Sequence, residues 1–180
     1  MLKTLLGCLL ILLAGSANAA PSSPYVGQES RAIKALSTQE ISDLLSGKGM
    51  GLAKAAELNG YPGPVHVLEL AAHLDLTPEQ KIKTEALFKK MQARAIPLGN
   101  ELVEEERALD RLFASRTVNS ENLGQSLARI GRLQGEVRQV HLDTHVEQTA
   151  LLTPAQIEKY NQLRGYGVSG EQEAHQPRHH

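Results

Sequence analysis

The pentapeptide Leu-Thr-Pro-x-Gln occurs twice, at residues 76–80 and 152–156, and no other feature limits the possible folds so sharply. A threonine ahead of a helix accepts a hydrogen bond from a first-turn N–H. Proline suits the first helical position because its missing N–H is not needed there, and a glutamine three residues after the threonine reaches back to the cap. Leu76, Thr77 and Gln80, and again Leu152, Thr153 and Gln156, therefore read as two identical helix starts. They frame one helical unit.

Within that frame the pattern is helical throughout. From Pro78 to about Ala114 the apolar residues Phe88, Met91, Ala95, Leu98, Leu102, Leu109 and Leu112 alternate three and four apart, with Glu105 interrupting the stripe. This is a heptad seam on a helix of about 55 Å at 1.5 Å per residue. Pro97 with Gly99 predicts a kink, because proline deletes one backbone hydrogen bond and crowds the preceding turn. Residues 115–120 read as a turn, with Asn119 or Ser120 capping a second long helix to about Ala150, on which Leu123, Leu127, Ile130, Val137, His141 and Thr144 lie near one stripe. Only a few residues join the two helices, so they must fold back as an antiparallel hairpin. If the hairpin turns near Thr117, residues whose numbers add to roughly 233 face each other, to within about one helical turn. Glu105 then meets Arg129.

The flanks carry weaker signals. Residues 1–19 read as a signal peptide: Lys3 gives a positive start, residues 5–14 an apolar run, and Ala17-Asn18-Ala19 a small-residue cleavage site, so export and cleavage near Ala19 are expected. That run is too short to span a bilayer, and no membrane insertion is expected after cleavage. The one cysteine, Cys8, leaves with the signal. Any metal must then be held by His, Asp, Glu or Met. Residues 20–36 read as a flexible leader, 37–64 as short helices with a Gly/Pro-rich linker opened by the capping box Ser37-x-x-Glu40, and 65–167 as the hairpin domain. There a helix of about three turns, residues 65–74, precedes the first repeat. Residues 168–180 lack periodicity and read as a disordered tail carrying His175, His179 and His180.

The expected class is thus all-α, a long antiparallel hairpin with short flanking helices. Tryptophan is absent and Phe88 and Phe113 are the two phenylalanines. A core of such thin composition leaves apolar surface on a second side of the hairpin, for which dimerisation is the expected remedy. Of nineteen Lys and Arg, one is Lys3 in the expected signal peptide, which leaves eighteen basic against twenty acidic residues and no basic stripe. Nucleic acid is not an expected partner. Catalysis is not expected either, since the chain has no nucleophile elbow, no phosphate-cradling glycine loop and no His-Glu-x-x-His. Asp143 could pair with His141 or His145, but all three share one helix.

Together the exported start, the aromatic-poor helical domain and the paired motifs at 76–80 and 152–156 resemble the Spy/CpxP family of bacterial periplasmic proteins, whose signature is an LTxxQ repeat. The resemblance covers about residues 65–166. It implies a dimeric, curved helical cradle in the periplasm. It also implies action as an ATP-independent chaperone for unfolded or stress-damaged envelope proteins, or as an adaptor for the periplasmic domain of a stress-sensing kinase. A related group of periplasmic heavy-metal sensors binds metal through histidines and a glutamate near the helix ends, which implies a heavy-metal role as the alternative. The near-neutral charge departs from the basic cradle of the chaperones.

His141 and His145 stand four apart on the second long helix, one turn apart on one face, a spacing able to chelate one divalent ion such as zinc, nickel, cobalt or copper. The register sets His145 near Phe88, which brings Glu85 within a turn as a third ligand, and His66 on the preceding helix is the candidate fourth. The competing reading is a solvated or hydrogen-bonding histidine pair with no metal at all.

Overall fold

The computed structural model describes residues 23–166, so the expected signal peptide and the His-containing tail lie outside the described residues. Residues 23–30 form a run of turns that leaves Tyr25 and Val26 exposed. From Arg31 the described residues form six helices: α1 (Thr38–Leu45), α2 (Lys54–Glu57), α3 (Pro64–Glu69), α4 (Pro78–Ala114), α5 (Ser120–Leu151) and α6 (Pro154–Leu163). No β-strand forms among the described residues; Ile33 and Leu36 make an isolated bridge. The fold is all-α.

Local chemistry sets the helix boundaries. Ser37 and Glu40 close a reciprocal capping box on α1, Thr77 and Gln80 do so on α4, Asn119 and Asn122 on α5, and Thr153 and Gln156 on α6. The α4 end is a Schellman closure: Arg116 N–H donates to Phe113 O and Thr117 N–H to Leu112 O. Arg116 therefore sits at φ 58°, in the left-handed region where glycine is the usual choice. Helix α3 ends at Glu69 with Leu70 as its cap, shorter than the expected three turns, and the turns through 70–75 that follow it close in the same way around Asp75 at φ 51°.

Helices α4 and α5 pair antiparallel along their length. Gln148 Nε2 donates to Thr84 Oγ1 at 3.2 Å, Lys90 bridges Glu147, and Arg129 Nε meets the Glu105 carboxylate at 2.8 Å, as the register requires. The seam keeps the expected Met91, Ala95 and Leu102 on α4 and Ile130, Val137, His141 and Thr144 on α5, and differs at its edges. On α4 the buried residues are Thr84, Leu87, Met91, Ala95, Gly99, Leu102, Val103 and Glu106, and on α5 Ser126, Ile130, Leu133, Val137, Val140, His141, Thr144 and Gln148. Glu106, not Glu105, is the carboxylate inside, and Leu127 stands 52% exposed. The cause is helical drift, since a straight helix slips about 20° per heptad against a strict seven-residue repeat. Pro97 lies inside an unbroken α4.

The second side of the hairpin is covered by the chain itself. Ile33, fully buried, and Leu44 of α1 join Leu102, Val103, Ile130 and Leu133 in one cluster. Residues 31–36, expected at the end of a flexible leader, and α1, the first of the short helices expected in residues 37–64, thus pack against the hairpin. The contact is close at Gly99, where an added Cβ would sit 2.2 Å from the Leu44 carbonyl oxygen. Nearer the helix ends Val67, Leu74, Leu152 and Tyr160 form a further cluster that seats α3 and α6 on each other, with Leu76 packed against it. Both motif leucines thus lie in this end cluster. Gln80 and Gln156 tie it down: each donates its amide to a carbonyl ahead of the opposite motif, Gln80 to Leu151 O and Gln156 to Leu74 O.

Candidate functional site

A cavity of about 730 Å³ opens where residues 46–66 cross the hairpin, and the histidines expected to bind metal line it. His141 and His145 come from α5, His66 from α3, Phe88 and Met91 from α4, and Met50 from the glycine-rich segment ahead of α2. The walls are mostly apolar, so the few polar atoms among them decide what the site can hold.

His145 is held in one orientation. Its Nδ1 lies 2.7 Å from the Tyr61 carbonyl oxygen, which can only accept, so Nδ1 carries a proton, and in the neutral ring Nε2 then keeps the lone pair. A backbone partner on one ring nitrogen is the arrangement that aims the other at a ligand. Gly63 makes room for the ring: a Cβ there would lie 2.8 Å from Cε1 and 3.0 Å from Nε2.

His141, one turn earlier, is 5% exposed, and its Nε2 is buried without a hydrogen-bond partner. Burial holds its imidazole below the ordinary histidine pKa, and the charge of His145 acts in the same direction. The ring is therefore neutral at physiological pH, the form that coordinates metal.

Glu57, at the end of α2, is the residue that sequence reasoning missed. Its Oε1 accepts from the Tyr160 hydroxyl at 2.5 Å and the Tyr166 hydroxyl at 3.1 Å, with Arg164 Nε at 3.6 Å. Its Oε2 is buried without a hydrogen-bond partner, 3.7 Å from His145 Nδ1. Burial first, then the hydrogen bond to Glu57, pushes the Tyr160 phenol far above its ordinary pKa, so it stays a donor. Glu57 stands on a four-residue helix without periodicity, and nothing local marks it.

The expected set is brought together only in part. His66 lines the same cavity, with Nδ1 engaged by Glu69 at 2.9 Å. Glu85 does not line it: Thr84 and Leu87 take the inward face of α4, and Glu85 is exposed to solvent. The unengaged nitrogens of His141 and His145 suit a divalent transition metal. Among the described residues, however, no three His, Cys, Asp or Glu side chains gather closely enough to hold one. Nor is any described helix long and apolar enough to cross a membrane.

The family model for heavy-metal resistance matches residues 52–159, from just ahead of α2 into α6, and takes in Glu57, His66, His141, His145 and both motifs. No curated protein and no solved structure gives a match. The match spans more than half of the chain, and with the paired motifs and the histidine-lined cavity it places this protein in the heavy-metal resistance family, which is related to the Spy/CpxP-like periplasmic helical proteins.

Proposed function

We propose that the protein is a non-enzymatic stress protein of the bacterial periplasm, a chaperone or adaptor of Spy/CpxP type whose binding responds to a heavy metal taken up at His141 and His145. The observation that carries the metal part is the pair of unengaged imidazole nitrogens on one cavity wall, one of them oriented by the Tyr61 carbonyl. His141 and His145 would hold zinc, nickel, cobalt or copper, and the metal would supply a positive centre beside the buried Glu57 carboxylate. Because residues 46–66 form the opposite wall, occupancy would change how firmly that segment sits on the hairpin.

Exposed Ile82, Phe113, Leu127 and Val146 on α4 and α5 support the client-holding part, since apolar side chains left in water are what an unfolded envelope protein, a sensor-kinase domain or a second copy of this chain would cover. No nucleotide is needed for such holding.

Calorimetric titration of the mature protein with Zn²⁺, Ni²⁺, Co²⁺ and Cu²⁺ tests the site, with truncation after Gly167 to remove the tail histidines. Binding that survives truncation and is lost in a His141→Ala, His145→Ala double variant supports it. Unchanged affinity in the double variant refutes it. Aggregation of a denatured model protein, followed with and without metal, tests the chaperone part, and sedimentation tests the dimer. The metal-free alternative predicts the same suppression of aggregation in the double variant.

A further inference from the structure

We infer that the cavity is a site for a small apolar amine, bound independently of any metal. Three observations carry this. The cavity, about 730 Å³, falls in the usual range for small-molecule sites and is far larger than a bare ion needs. Its rim carries Met50, Leu58 and Val65, respectively 41%, 55% and 39% exposed, so apolar side chains at the mouth stand in water until something covers them. Its interior presents polar atoms without partners: Glu57 Oε2 is a buried carboxylate oxygen with no hydrogen-bond donor, His141 Nε2 is buried without a partner, and in the neutral ring His145 Nε2 keeps the lone pair because Nδ1 is committed to Tyr61.

A buried acceptor without a donor loses its water and gains nothing in return. The group that repairs this deficit is an N–H donor, and an ammonium also meets the carboxylate charge. At Glu57 Oε2 a carboxylate head would instead be repelled, although Lys48 and Lys54 also line the cavity. Phe88 and Met91 offer an aromatic edge and a thioether to a ring or an alkyl body. Glu57 would act as the selecting residue. Its other oxygen already accepts from Tyr160 and Tyr166, with Arg164 Nε 3.6 Å away, which holds the carboxylate in place and leaves Oε2 for the ligand.

The test is calorimetric titration of the mature, full-length protein in EDTA with phenethylamine, phenethyl alcohol and hydrocinnamate, which share one apolar body and differ in the head group. The amine should bind at least about ten-fold tighter than the carboxylate, with the alcohol between them. Glu57→Gln should erase the preference for amine over carboxylate. His141→Phe keeps a buried ring and removes its nitrogens, and should weaken the amine and the alcohol together. Should Glu57→Gln fail to fold, as circular dichroism would reveal, the head-group order in the wild type and the His141→Phe variant decide the matter. Hydrocinnamate binding as tightly as phenethylamine, no binding by any of the three, or an unchanged order and affinity in His141→Phe would overturn the inference. Because EDTA removes metal throughout, these outcomes are separate from success or failure of the metal reading.

Discussion

Gln80 and Gln156 hydrogen-bond each other in both directions, Gln80 Nε2 donating to Gln156 Oε1 at 2.8 Å and Gln156 Nε2 donating to Gln80 Oε1 at 3.1 Å. Each oxygen also accepts from the N–H of its own threonine cap, Thr77 or Thr153, so one amide closes a helix start and joins it to the other. The repeated motif is thus a single paired device at the end of the bundle. Gln80→Ala or Gln156→Ala should cost about 1–3 kcal/mol, because each leaves partly buried partners unsatisfied. The double variant should cost less than the two together by at least about 0.5 kcal/mol, as expected for residues sharing one network. Urea unfolding of the four proteins measures it, and strict additivity would show the pairing to be incidental.

Gly99 is the point where α1 can approach α4. With Leu44 O 2.2 Å from an added Cβ and the same peptide's carbon at 2.8 Å, backbone must move. Gly99→Ala should destabilise by about 2 kcal/mol despite alanine's better helix propensity. Amide exchange should show the loss concentrated in residues 33–46. A neutral or stabilising effect would mean that α1 docks more loosely.

Burial raises the Glu106 pKa above the ordinary carboxylate value. A group whose folded pKa is raised favours the fold while protonated, and that contribution is lost as pH rises through the folded pKa. At neutral pH the charge is therefore a cost. Glu106→Gln, similar in shape and uncharged, should raise stability at pH ~7 by roughly 1 kcal/mol, and the gain should shrink as the pH falls through the raised folded pKa and be lost by ~4. Chemical denaturation at the two pH values checks the sign.

His141 behaves in the opposite sense. Its folded pKa is depressed by burial and by His145, so below the unfolded value of about 6.5 the unfolded chain takes up a proton that the native ring refuses. Stability should fall as pH drops from ~7.5 to ~5, and His141→Phe should flatten that part of the profile. Metal affinity, if carried by this ring, should weaken over the same range. An unaltered stability profile in the variant would show that His141 titrates freely.

Local chemistry alone determined most of the scaffold. The reciprocal boxes at Ser37, Thr77 and Thr153, and proline at the first position of α4 and α6, fix helix starts through bonds within four residues. The five-residue turn forces the hairpin, and its length sets the register that joins Glu105 to Arg129. These interactions are near in sequence or follow from geometry, so they are legible without coordinates. The inward face of each helix was legible at Met91, Ala95, Leu102, Ile130, Val137, His141 and Thr144, but its edges were not, because small errors in helical phase accumulate along 37 residues and exchange Glu105 for Glu106 and Leu127 for Ser126. The site needed the tertiary structure for a different reason. In residues 31–64 the apolar residues are broken up by glycines and short turns, too little periodicity to announce that the segment would fold over the hairpin. Yet that packing buries Ile33, brings Glu57 beside His145 and closes the cavity around His141, while Glu85, placed near the pair by register alone, is turned to solvent.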